Sequence, residues 1–197
     1  DIHTRTAAEI NGVPLSDVTP AMRSDAKAVN FGIVYGISDF GLARNIGTSR
    51  KRAGDFISRY FERYPGVREF MDSTVRFGYE KGFITTLFGR RRLLNELKSG
   101  NANTRNFGER AAMNTPIQGT AADIIKLAMV RVHRELKERG FAARLVLTVH
   151  DELIVEAPRD EAEQVRELLR DVMENVIKLD VPLKTDIKIG YSWYDSK

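Results

Sequence analysis

With 197 residues, 42% of them hydrophobic and 29% charged, the chain has material for one large domain or two small ones and is too apolar for a disordered segment. The absence of cysteine excludes disulfides, thiolate metal sites and a cysteine nucleophile. A net charge of +4 is compatible with a polyanionic partner, and no apolar run reaches the ~18 residues of a membrane span.

The first residues, Asp1-Ile2-His3, carry neither an initiator Met nor a basic-then-apolar leader, so the chain is expected to start inside a longer protein. Thr19 before Pro20 reads as an N-cap and first helical residue. That helix is expected to run to Tyr35, with Gly36 placed to end it. Further helices are expected over residues 49–63, again behind a hydroxyl cap, and 65–81. Residues 82–89 are β-branched and aromatic between two glycines, which predicts a short hairpin, and Arg90, Arg91 and Arg92 follow at once.

The polar, turn-rich residues 98–104 mark the expected subdomain boundary. A long helix is then expected over 104–139, bent near Pro116 and Gly119. Two apolar runs, 145–149 and 153–155, flank His150-Asp151-Glu152 and predict a rigid, buried β-hairpin. A helix over 159–178 and a strand over 183–189 complete an α+β pattern without internal repeats or low-complexity segments.

Three groups of residues carry chemistry. Arg23, Lys27, Phe31 and Tyr35 are spaced by four, so each helical step turns only about 40° and rises about 6 Å, and all four share one broad face. Cations occupy its N-terminal half and aromatics its C-terminal half, the polarity of a nucleoside triphosphate from phosphate tail to base. Arg23 offers a fork, and Lys27 a point charge or a proton for a departing pyrophosphate. Spacing alone equally permits a surface helix whose aromatics enter the core and whose cations are merely solvated.

The second group is Asp151 and Glu152 beside His150, between apolar strands where Gly or Asn would be the usual turn residues. Carboxylates there can ligate Mg²⁺, a hard ion that wants oxygen, although an acidic turn facing water is an equal alternative. One such cluster is too small for a two-metal phosphoryl-transfer site. The third group, Arg110, Asn114 and Gln118, again spaced by four, could touch phosphates and minor-groove acceptors, or form an ordinary solvated face.

These stretches together resemble family A DNA polymerases, the bacterial DNA polymerase I type. Residues 23–36 look like that family's Arg-x₃-Lys-x₃-Phe-x₃-Tyr-Gly helix, residues 149–152 (Val-His-Asp-Glu) like its palm motif, and residues 114–123 like its following helix motif. The terminal Gly190-Tyr191-Ser192-Trp193-Tyr194-Asp195 resembles the family's natural C-terminus. The resemblance implies a mostly helical fingers region over 1–98 and the C-terminal part of an antiparallel-sheet palm with packed helices over 99–197. It implies that His3, Arg23 and Lys27 contact the incoming triphosphate, with Lys27 as general acid, that Phe31 packs on sugar and base and rejects dideoxynucleotides, and that Tyr35 stacks near the templating base. Asp151 would bind catalytic Mg²⁺, with Glu152 a weaker contributor. Arg110, Asn114, Gln118 and His150 would touch the primer–template, and the run Arg90 to Arg92, with Arg90 and Arg92 as its DNA contacts, would approach DNA phosphates. His133, on a helix away from these motifs, is expected to be an ordinary partly exposed residue.

One departure is large. The family's other metal-binding Asp sits in an Asp-Tyr-Ser-like strand, and no such tripeptide occurs here. The implied activity is therefore template-directed DNA synthesis, Mg²⁺-dependent nucleotidyl transfer from dNTP to a primer 3′-hydroxyl, by a fragment inactive alone. Its partners would be primer–template DNA, dNTPs and the remainder of the polymerase (upstream palm strand and thumb), in a bacterial cytoplasm at the nucleoid and without a membrane. A non-catalytic DNA-binding module and a single-subunit RNA polymerase fragment are the alternatives, and Phe31 argues against the second.

Overall fold

The helix expected behind Thr19 is present in the computed structural model, which describes residues 1–196, and its ends follow the local chemistry. This helix, α2 (Pro20–Val34), is capped by the Thr19 side chain, which accepts the Met22 N–H at 3.2 Å. At its other end Gly36 adopts φ 69°, Gly36 N–H donates to Ile33 O at 2.8 Å and Ile37 N–H to Gly32 O at 2.8 Å, a Schellman closure. A β-carbon on Gly36 would overlap Met113 Cε and lie 3.1 Å from Arg110 Cγ, so this glycine is required both by its dihedral and by a close approach to the helix bearing Arg110. Gly36→Ala is expected to destabilise the chain by about 1–2 kcal/mol, chiefly from left-handed strain, as read by chemical denaturation.

The architecture is α+β, and the chain divides into two compact units, Asp1–Ile117 and Gln118–Lys197. In the first, α1 (Ile2–Asn11), a 3-10 turn (Leu15–Asp17), α2, α3 (Asp39–Asn45), α4 (Arg50–Arg63) and α5 (Pro65–Lys81) precede the small sheet β1 (Phe83–Thr85) and β2 (Arg91–Leu93). A 3-10 turn (Asn95–Lys98) and α6 (Ala102–Asn114) complete it. Val29 and Ile33 of α2, Ile10 of α1, Leu42 of α3 and Phe56 and Tyr60 of α4 form one core, leaving the opposite side of α2 to solvent. Glu9 ties α1 to α4 and the turn after it. Tyr64 Oη donates to it at 2.6 Å and Arg63 lies at 3.3 Å, and these contacts, the tyrosine's first, lower its carboxyl to about 2.

The helices expected over 49–63 and 65–81 match α4 and α5. The hairpin expected within 82–89 is different: residues 83–85 form only its first strand, and the arginine run supplies the second, with Phe83↔Leu93 and Thr85↔Arg91 paired. The reversal falls at Gly89, φ 80°, where Gly89 N–H donates to Thr86 O at 3.0 Å. Residues 98–104, expected as the boundary between 1–98 and 99–197, lie inside the first compact unit, because α6 packs on α5 and on the 3-10 turn before it.

The expected long helix is interrupted. A π-helical turn (Thr115–Gly119) separates α6 from α7 (Thr120–Glu138). Pro116 has no N–H for the α-helical ladder and its ring crowds the carbonyl four residues earlier, so the turn widens there.

In the second unit, α7, the hairpin β3 (Arg144–Val149) and β4 (Glu152–Glu156), and α8 (Ala162–Glu174) surround Val132, Leu136, Val165, Leu168 and Val172. The hairpin is not buried as expected. Leu153 and Val155 pack on this core, but Val146 is 53% and Leu147 47% exposed, with Val146 the extra residue of a bulge. α8 is shorter than the expected 159–178. Before it, the Glu161 carboxylate accepts the N–H groups of Ala142 and Ala143 at 3.0 and 3.1 Å, which holds the lead-in as a turn. After it, Asn175 Nδ2 donates back to Asp171 O at 2.9 Å. Residues 183–189 keep the alternating burial expected of a strand as far as Ile187, yet none of the described strands pairs with them, so the expected strand does not form.

Candidate functional site

The two readings of α2 differ in where its aromatics go, and burial decides between them. Its buried residues are Ala26, Val29, Asn30, Gly32 and Ile33. Phe31 is 47% and Tyr35 40% exposed, and Arg23 and Lys27 are exposed on the same face. Leaving two large rings half-exposed beside cations forgoes roughly half of the about 1.5–3 kcal/mol that full burial of such a side chain gives, so they do not enter the core.

The exposed face is ordered. Phe31 and Tyr35 lie nearly parallel, 10° apart with centroids 6.4 Å apart, and Lys27 Nζ stands 6.0 Å from the Phe31 centroid. His3, from α1, joins them with its ring 5.6 Å from that of Phe31. Burial first, then the charges of Arg23 and Lys27, push the His3 pKa below its ordinary value, which favours the neutral imidazole. Lys27, Phe31, Tyr35, Asn45 of α3 and Arg110 of α6 line an open pocket of about 570 Å³. Arg110 is thus brought to the α2 face from far along the chain.

Arg91 is committed to packing, its guanidinium 4.7 Å from the Phe83 centroid. Arg92, the next residue of β2, faces the other side by strand alternation, Arg90 precedes the strand, and all three arginines are exposed. Asn114 ends α6 half-buried, with its Oδ1 buried and lacking a hydrogen-bond partner, while Gln118 is exposed in the π-helical turn. The phase that would align Arg110, Asn114 and Gln118 on an uninterrupted α-helix therefore stops at Asn114.

At the hairpin tip of the second unit the loop is His150-Asp151, and Glu152 is already the first residue of β4, paired with Val149. All three are exposed. His150 has φ 53°, the only positive value on a non-glycine residue among the described residues. A β-carbon in this region costs on the order of 1–3 kcal/mol, and such strain gathers at functional turns. Asp151 and Glu152 offer the hard oxygen donors that Mg²⁺ takes, and no group of three or more His, Cys, Asp or Glu that could hold a metal is found among the described residues. His133 is exposed, as expected.

The model of DNA polymerase family A matches residues 1–195. The chain belongs to this family. It is 56% identical over 197 residues to DNA polymerase I of Caldicellulosiruptor bescii, covering all of this chain and 23% of that protein, and 56% identical to DNA polymerase I of Bacillus subtilis, covering 22% of it. The chain therefore spans under a quarter of the length of these curated relatives. The fold superposes with TM-score 0.94 and 41% identity on the POL domain of Pol1 from M. smegmatis in complex with DNA primer-template and dNTP, covering all of this chain and 35% of that one. No helix among the described residues is long and apolar enough to cross a membrane.

Sequence reasoning passed over Asp1 and Asn30. Asp1 accepts Arg23 Nε–H at 2.7 Å, and Asn30 Nδ2 lies 3.0 Å from His3 Nδ1. The signal for Asn30 was an amide on the apolar side of an amphipathic helix.

Proposed function

We propose that this chain supplies the nucleotide-binding face and one metal-binding carboxylate of a template-directed DNA polymerase, with residues 1–98 as fingers and 99–197 as the C-terminal part of the palm. The observation that carries this is the exposed, ordered row Arg23–Lys27–Phe31–Tyr35 joined by His3. A family structure holding primer-template DNA and dNTP supports both partners. Arg23 and His3 bind the phosphates, Phe31 carries the sugar and base, and Tyr35 stacks at the templating end. The primer 3′-hydroxyl gives up its proton to water as its oxygen attacks the α-phosphorus, the bond to the β-phosphate oxygen breaks, and pyrophosphate leaves. Lys27 donates a proton to it while Arg23 offsets its charge. Asp151, with Glu152 weaker, would hold Mg²⁺, which stabilises charge on the reacting oxygens when bound. Arg90, Arg92, Arg110, Asn114, Gln118 and His150 are assigned to the primer–template, and the activity is assigned to a bacterial cytoplasm, at the nucleoid.

The test completes the chain with the remaining segments of a relative such as the Bacillus subtilis protein and assays primer extension. Synthesis from deoxynucleotides that stops when EDTA removes the metal is expected. Salt-sensitive DNA binding without synthesis would instead indicate a binding module, and preferred use of ribonucleotides an RNA polymerase. In the same assay Phe31→Tyr is expected to relax rejection of dideoxynucleotides. An unchanged chain-termination ratio would remove Phe31 from the sugar.

A further inference from the structure

Two side chains at the phosphate end of the α2 face start on different helices, and each is gripped by a residue belonging to the other's helix. Asp1, the N-cap of α1, accepts Arg23 Nε–H from α2 at 2.7 Å. Asn30, buried on α2, meets His3 Nδ1 of α1 at 3.0 Å and donates to Thr6 Oγ1 at 3.2 Å. The grips are also anchored: Asp1 Oδ1 accepts His3 N–H at 2.8 Å, and Oδ2 accepts the Thr4 hydroxyl at 3.0 Å.

The chemistry of the two grips is complementary. Asp1 uses only the Nε–H edge of Arg23, which leaves both terminal amino groups of the guanidinium to fork a phosphate. Asn30 presents its amide nitrogen to the Nδ1 edge of His3, the pairing in which the ring proton sits on Nε2, the edge left to an anion. Both donors are thus oriented before any ligand arrives, which reduces the ordering cost on binding.

We propose that Asp1 and Asn30 are positioning residues for the triphosphate, forming a reciprocal cross-brace that presets Arg23 and His3. This rests on the reading of α2 as the triphosphate seat. The 197-residue chain is titrated with dGTP and Mg²⁺, and the dissociation constant is compared for wild type, Asp1→Asn, Arg23→Ala and the double variant. Asp1→Asn keeps a capping oxygen and is expected to weaken binding about 3–5-fold, as loss of a partly exposed charge pair allows. In the Arg23→Ala background it should change nothing, whereas a merely structural role would still lower affinity there. Nitrogen-15 spectra of the wild type should show His3 as the Nε2–H tautomer, which tests Asn30 without a variant that could unfold. An Nδ1–H tautomer, or unaltered affinity in Asp1→Asn while Arg23→Ala weakens binding, would overturn the cross-brace alone. If Arg23→Ala itself left affinity unchanged, the triphosphate seat would fall, and the cross-brace with it.

Discussion

Lys27→Ala, in the chain completed with the rest of a family A polymerase, is expected to slow nucleotide incorporation by about 10²–10⁴-fold, the range of a lost general acid. The Lys27 ammonium is exposed one turn from Arg23 and 6.0 Å from the Phe31 centroid, so it flanks the ring assigned to sugar and base on the phosphate side. Its removal deletes a proton donor and a positive charge but no buried group, so the fold should persist. Single-turnover incorporation with saturating dNTP reads the chemical step, and the thermal unfolding midpoint should stay near wild type. Lys27→Arg separates the two roles: it restores the charge, but a guanidinium does not give up its proton at neutral pH. Recovery of dNTP affinity without recovery of rate is expected from it. Near-normal incorporation by Lys27→Ala would remove the residue from the mechanism.

Asp151→Ala is expected to have a comparable or larger effect. A metal-bound charge in the transition state contributes several kcal/mol, so losing its ligand should cost about 10³-fold or more in rate. Asp151 sits in a two-residue loop, exposed, with a strained His150 before it and the paired Glu152 after it. The short loop fixes its place to within the stiffness of the hairpin, and an alanine there removes no packing. Glu152→Ala serves as the comparison. As the weaker contributor, on a strand position rather than in the loop, it should lose much less. Titration with Mg²⁺ distinguishes a lost ligand from lost folding: Asp151→Ala should need more metal to reach its residual rate. Wild-type rate and metal dependence in Asp151→Ala would exclude it as a ligand.

Local signals were legible, and non-local ones were not. The ends of α2 follow from Thr19, Pro20 and Gly36, which act within a turn of their own positions. The start of α1 was available in the same way, through the Asp1 cap and the left-handed Gly12, but its apolar positions are mostly alanine and give a weak period. Residues 183–189 show how alternation can be right and the strand wrong, since a strand needs a ladder partner and alternation reports only a face. Arg91 and Arg92 entered β2 because the reversal at Gly89 set them opposite Thr85 and Ile84, a pairing that their own side chains do not announce. At the candidate site, the row along α2 was readable from spacing, but its exposure was not. The arrivals of His3 and Arg110 at that row depend on how α1 and α6 pack, which no local pattern encodes.

The exposed side of α2 is the proposed seat of a deoxynucleoside triphosphate. The most direct measurement follows backbone and side-chain NMR shifts of the chain while a dNTP with Mg²⁺ is added. Saturable changes should centre on Arg23, Lys27, Phe31, Tyr35 and His3, and shrink in Lys27→Ala and Phe31→Ala. Changes that centre on another surface, or a titration indifferent to both substitutions, would contradict the account.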